Sequence, residues 1–181
     1  MTVQLVGDRR LELVVGDITR ERVDAIANAA NAALRGGGGV VGAVHTAAGP
    51  GLMSELRSRY PNGTDTGTAV VTEGHGLPAR WVLHAVGPIW AGGDRDEARL
   101  LAGAYRSCLG LADDLGARSL ALPAISMGIY AYPPAEGARI AVASVLEHLG
   151  GPTGLELVRF VLRDATWGPF SDALEELASR G

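Results

Sequence analysis

Residues 28–49, NAANAALRGGGGVVGAVHTAAG, constrain this chain more than any other stretch. Four consecutive glycines are costly to order, because glycine loses more backbone freedom on folding than any other residue. A folded chain tolerates such a run where its backbone must come very close to something. Directly ahead of a helix, that something is a phosphate or another anion, met by unpaired backbone N–H groups.

The surrounding sequence sets the frame. The 181 residues suit one domain with a substantial core. An apolar fraction of 47% with only 5% aromatics fits an Ala-, Leu- and Val-rich α/β protein. No apolar run reaches membrane-spanning length, and MTVQLVGDRR lacks the layout of a signal peptide, so the expectation is a cytoplasmic protein. The net charge of −4 argues against strong general affinity for nucleic acid. All 16 basic residues are arginine, which excludes chemistry that needs a P-loop lysine, a Schiff base or a Ser–Lys dyad. Cys108 is the single cysteine and falls on an apolar helical stripe with Leu101, Ala104, Tyr105 and Leu115, where it reads as core packing.

Apolar runs predict strands at Val3–Val6, Leu11–Val15, Ala25–Ala29, Ala69–Thr72, Arg80–Ala85, Ser119–Leu122 and Glu156–Leu162. Helical spacing predicts helices at Val41–Ala48, Gly51–Arg59, Glu97–Leu115, Pro134–Leu149 and Phe170–Ser179. Asp94 to Glu97 has the spacing of a capping box opening the third helix. The alternation predicts a three-layer α/β/α sandwich around a mixed, mostly parallel sheet, with a hairpin turning at Gly7-Asp8. In such sheets ligands sit beyond the carboxyl ends of the strands. Three loops follow strands there: the glycine run, Val86-Gly-Pro-Ile, and Pro123–Pro133.

Gly37, Gly39 and Gly42 satisfy G-x-G-x-x-G, yet a spacer separates them from their strand and the next acid, Glu55, falls in a predicted helix. That is poor support for a Rossmann dinucleotide site. The glycines still describe a cradle of pyrophosphate size, and Ser126-Met-Gly-Ile-Tyr130 ahead of Pro133-Pro134 offers a second nest of N–H groups. Asn28 and Asn31 bracket a strand end, either as turn formers or with an amide aimed at sugar hydroxyls. Asp17 is either a capping acid or a carboxylate that reads an adenine amine, and spacing alone favours the cap. His45, His75, His84 and His148 lack zinc-ligand spacing. His45 and His84 read as structural, hydrogen-bonded side chains rather than catalytic bases. No G-x-S-x-G elbow supports a serine hydrolase.

Taken in order, Val15-Gly-Asp17-Ile-Thr19, Val23-Asp-Ala-Ile26, Asn28-Ala-Ala-Asn31, Gly36-Gly-Gly-Gly39-Val, Gly42-Ala-Val-His45, Ala47-Ala-Gly49, His84-Ala-Val-Gly-Pro88 and Leu122-Pro-Ala-Ile-Ser126-x-Gly128-Ile-Tyr130 resemble a macrodomain of the MacroD-type class. The resemblance covers roughly residues 11–179. It implies an α/β/α fold that binds ADP-ribose and hydrolyses it from acidic side chains, from O-acetyl-ADP-ribose or from nucleic acid such as thymidine-linked ADP-ribose, with no metal and no cofactor. The partners so implied are ADP-ribose and ADP-ribosylated protein or nucleic acid.

Carried over by position, Asp17 contacts the adenine amine beside the Ile18 backbone, and Asn31 holds the distal ribose. Gly38, Gly39, Val40 and Val41 of the first loop, with Ser126, Met127, Gly128, Ile129 and Tyr130 of the second, enclose the diphosphate and that ribose. Asn31, Gly39, Val41 and Gly128 fall nearest the reacting bond. Trp167 and Phe170 are the candidates for stacking on adenine. One departure stands out: the family loop carries an aspartate where this chain has Val41. Valine neither takes a proton nor orients water. The substrate's own phosphate then has to activate water, or else the chain is a reader that binds ADP-ribose without cleaving it.

Overall fold

The computed structural model describes residues 1–179. Its elements are β1 (Thr2–Val6), β2 (Arg9–Val15), a 3₁₀ turn (Ile18–Arg20), β3 (Ala25–Ala30), α1 (Gly39–Ala48), α2 (Pro50–Arg59), β4 (Ala69–Glu73), β5 (Trp81–Val86), α3 (Glu97–Asp114), β6 (Ser119–Leu122), α4 (Pro134–Gly150), β7 (Leu157–Leu162) and α5 (Asp164–Ala178). The strands form one seven-stranded sheet in the order β1-β2-β7-β6-β3-β5-β4. The five strands from β2 to β5 run parallel, and antiparallel β1 and β4 flank them.

Alternation along the strands splits the core between the two faces of the sheet. Leu11, Leu13, Ala25, Ala27, Leu83 and Phe160 pack with Leu101, Tyr105 and Cys108 of α3, Val142 of α4 and Phe170 of α5. Ile26, Ala30, Val82 and Val86 pack with Val44 of α1 and Leu52 and Leu56 of α2. The sandwich is therefore three-layered, as the alternation predicts. Burial also explains Cys108, whose thiol is pushed up to about 12 and is inert. On the α1/α2 side of β2 and β7, Arg159 joins the buried Glu12 at 2.6 Å and Glu21 at 2.6 Å.

Two local expectations need correction. The segment 94–97 is not a capping box: Asp96 is the N-cap with left-handed backbone and no side-chain cap bond. Glu97 turns back instead, and its buried carboxylate accepts N–H bonds from Ala91, Gly93 and Arg95. The last helix begins at Asp164 rather than Phe170, because Pro169 lies inside it. An interior proline gives up its own N–H bond and crowds the carbonyl four residues back, and packing of Phe170 against Phe160 at 4.8 Å holds the helix on the sheet.

Candidate functional site

The carboxyl ends of the adjacent strands β6, β3 and β5 bring the three predicted loops together. The first loop is anchored by Asn31. Its Oδ1 accepts from Arg35 N at 3.0 Å and its Nδ2 donates to Arg35 O at 2.8 Å, which closes residues 31–35 into a tight turn. The glycines leave that turn and enter α1 at Gly39, whose φ of 63° favours glycine. Gly42 lies so close to the Gly37 carbonyl that a Cβ would overlap it. Gly38 is an N-cap with no side chain to offer, and the N–H groups of Gly38, Gly39, Val40 and Val41 have no partner among the described residues. The helix dipole adds positive potential at the same point.

Val41 is 9% exposed, and a Cβ on Gly37 would sit 3.2 Å from its Cγ1. The side chain is thus tucked beneath the glycine backbone.

The second loop is held by Tyr105 of α3, fully buried, whose hydroxyl donates to Pro123 O at 3.0 Å and accepts from Ile125 N at 2.8 Å. Tyr132 N closes the loop onto Ser126 O at 2.9 Å, and Trp90 N from the β5 loop bonds Tyr130 O at 2.9 Å. Ser126 has φ of 65°, and its buried Oγ has no partner. The N–H groups of Ser126, Gly128, Ile129 and Tyr130 also lack partners among the described residues. Met127 packs back against Gly137 of α4. The two loops face each other directly: a Cβ on Gly38 would lie 4.0 Å from Ile129 Cδ1.

Further along the crevice, Asp17 caps the 3₁₀ turn, its Oδ1 accepting from Thr19 N at 3.0 Å and Thr19 Oγ1 at 2.7 Å. Those bonds hold its carboxyl below the usual range, so it is ionised, and Oδ2 lies 3.6 Å from Arg20 Nε in an exposed ion pair. Ile18 beside it is buried. Phe170 is fully buried and is not available to stack on a ligand. Trp167 is half-buried and lines a cavity of about 600 Å³ with Val14, Val15 and Asp164.

The histidines stay outside this chemistry. His84 is fully buried, with Nδ1 3.2 Å from Asn28 Nδ2 and Nε2 2.9 Å from Thr72 Oγ1. Thr72 in turn donates to Glu73 O, which fits Nε2–H as the donor and Nδ1 as the acceptor of the Asn28 amide. Burial, reinforced by neighbouring His45, pushes His84 down to about 3. Asn28 therefore faces the α1/α2 layer, not the crevice. His75 bonds Glu55 at 2.7 Å and His148 bonds Asp113 at 2.8 Å. No cluster of three metal-ligating side chains exists among the described residues.

Sequence reasoning names the loop that holds Gly87 but misses the two contacts that shape the second loop from behind. Tyr105 reads as core, and its hydroxyl role has no local signal. Gly87, where a Cβ would overlap Ser126 Oγ, is marked only by its place after a strand.

Comparison with known proteins agrees with this geometry. Residues 27–141 match the family model described as Macro domain. The chain is 54% identical over 159 residues to a macro domain-containing protein of Streptomyces griseus, covering 86% of this chain and 88% of that one. It is 50% identical over 157 residues to an O-acetyl-ADP-ribose deacetylase of Salmonella gallinarum, covering 86% and 88%. The Oceanobacillus iheyensis macrodomain solved with ADP superposes with a TM-score of 0.94 at 38% identity, covering 99% of this chain and 97% of that one. A Trypanosoma brucei macrodomain in complex with ADP-ribose gives 0.83 at 37% identity, covering 91% and 68%. Built on this sheet, with these paired loops, the chain belongs to the macrodomain family.

Proposed function

We propose that the crevice binds ADP-ribose and that the chain hydrolyses ADP-ribose esters, the acetyl ester first among them. The observation that carries this reading is the pair of loops, each presenting unpaired N–H groups, that approach to 4.0 Å between the Gly38 Cβ direction and Ile129. A diphosphate replaces the water those groups would otherwise need and gains the α1 dipole. The orphaned Ser126 Oγ adds a donor on the same side. Asp17 Oδ2 accepts from the adenine amine beside the Ile18 backbone, and Trp167 offers an apolar wall there.

At the other end, Asn31, Gly39, Val41 and Gly128 surround the distal ribose, with Val40, Met127 and Tyr130 completing its walls. Opening the Asn31 turn toward Arg35 frees its amide for the sugar hydroxyls. No carboxylate replaces the family aspartate, since Val41 is an alkyl group beneath the loop. In a Glu-linked ester the substrate phosphate, fixed by both loops, takes the proton of a water as the water attacks the anomeric carbon, and the carboxylate leaves with the bonding electron pair; in the acetyl ester the activated water attacks the acyl carbon, and the ribose oxygen leaves with the bonding pair and takes up the proton. Positioning contributes most of the acceleration, because a carboxylate is a good leaving group. The buried Val41 also favours a second reading, in which the chain holds ADP-ribose without cleaving it.

Incubation with O-acetyl-ADP-ribose, Glu-linked ADP-ribose and thymidine-linked ADP-ribose separates the two. Release from the acetyl or Glu ester supports the hydrolase, whereas binding without release from any of the three supports the reader.

A further inference from the structure

The two edges of the sheet are finished differently. Along β4 side chains occupy an outward backbone group at each of three positions: Ala69 N donates to Ser107 Oγ at 3.0 Å, Val71 O accepts from Tyr60 Oη at 2.8 Å, and Glu73 N donates to Glu55 at 3.2 Å. No further strand can add there without displacing three side chains.

β1 has no such protection. Val6 and Arg9 flank the two-residue turn Gly7-Asp8 and so form a hydrogen-bonded pair. By alternation, Thr2, Gln4 and Val6 bond to β2, and the backbones of Val3 and Leu5 face outward. Consistent with this, the one partner of an outward group is a neighbouring side chain, Gln4 Nε2, which donates to Leu5 O at 2.9 Å. The strand TVQLV holds no proline and no charge, the usual devices that blunt an edge. Its outward residues are also apolar, with Val3 43% and Leu5 61% exposed.

We infer that the β1 edge is an interface for a second copy of this chain, the two β1 strands pairing antiparallel about a two-fold axis through Gln4. The register is self-complementary. Val3 pairs with the partner's Leu5, and Leu5 with the partner's Val3, so every outward N–H and C=O of these residues is satisfied. All four side chains fall on one face and form an apolar block. Because Val3 sits beside Glu12 and Leu5 beside Arg10 in the β1–β2 ladder, each row across the joint begins in one charge and ends in the opposite one. One row reads Glu12, Val3, the partner's Leu5, the partner's Arg10. Slipping the register by one residue breaks the apolar block, which fixes the alignment.

The axis makes a sharp test. In this pairing Gln4 stands opposite the partner's Gln4 at a non-hydrogen-bonded position, with Cα atoms about 4.5 Å apart, within reach of a disulfide. Cys108 is buried, so a cysteine placed on β1 is the accessible thiol. Mild oxidation of Gln4→Cys is expected to give a covalent dimer of twice 18.7 kDa, while Thr2→Cys, which faces the partner's Val6, gives at most about a tenth as much. Sedimentation of the unaltered chain is expected to show mass rising with concentration toward the dimer, and Leu5→Lys with native circular dichroism is expected to stay monomeric. Equal cross-linking at positions 2 and 4 overturns the assignment. So does a chain that sediments as a monomer up to about 1 mM, or a Leu5→Lys dimer.

Discussion

Gly87 and Ser126 touch across the top of the sheet so closely that no side chain fits between them. A Cβ on Gly87 would overlap Ser126 Oγ and stand 2.5 Å from Ile125 Cγ2. The β5 loop thereby sets the height of the second loop. Gly87→Ala is expected to cost about 1–3 kcal/mol of stability by overpacking and to weaken ADP-ribose binding at least about tenfold, roughly 1.4 kcal/mol. Thermal denaturation and calorimetric titration check the two effects. Unchanged affinity in a folded Gly87→Ala chain would remove the second loop from the binding site.

Tyr105 supports the same loop from below through Pro123 O and Ile125 N. Tyr105→Phe keeps the packing but leaves the Ile125 N–H buried without a partner, a loss of about 1–3 kcal/mol. Urea unfolding is expected to show that loss, together with faster exchange of the Ile125 amide in hydrogen-exchange measurements.

Val41→Asp restores a carboxylate at the first turn of α1, where the helix dipole stabilises a negative charge. If the rest of the ribose pocket is intact, hydrolysis of O-acetyl-ADP-ribose rises by about 10²-fold or more, with ADP-ribose affinity changing little. Single-turnover kinetics measure it. A folded, ADP-ribose-binding Val41→Asp chain with no gain in rate would show that the valine is not what limits turnover.

His84 links stability to acid. Folding pushes its imidazole down to about 3, against about 6.5 in an unfolded chain. Between those values the unfolded state holds the extra proton. The contribution is therefore complete above about pH 6.5 and is lost as pH falls toward 3, at up to about 1.4 kcal/mol per pH unit. Urea midpoints measured from pH 7 down to pH 4 are expected to fall more steeply for the unaltered chain than for His84→Gln. Parallel slopes would assign the acid sensitivity to other groups.

The layers, strand positions and paired loops were legible because alternation and glycine punctuation act locally. The start of α5 was not, since Pro169 signals a helix start, whereas Thr166 Oγ1 accepts from Arg163 N and opens the helix at Asp164. Glu97 read as half of a capping box, but long-range geometry gives its carboxylate three loop N–H groups instead. Asp17 is the capping acid that its spacing favours, with Oδ1 on Thr19 and Oδ2 in an exposed ion pair with Arg20. Asn28 and Asn31, equivalent in spacing, part company because one sits on a strand facing α1 and the other in a turn. Tyr105 and Gly87 show the remaining gap: each acts on a loop far away in sequence, and no local pattern reports that.

Calorimetric titration of the unaltered chain with ADP-ribose, alongside NAD and ADP, tests the central claim most directly. The paired loops predict one ADP-ribose per chain, bound at least about tenfold more tightly than NAD, whose anomeric position already carries nicotinamide. No heat with ADP-ribose, or equal affinity for NAD, would contradict the assignment of the crevice.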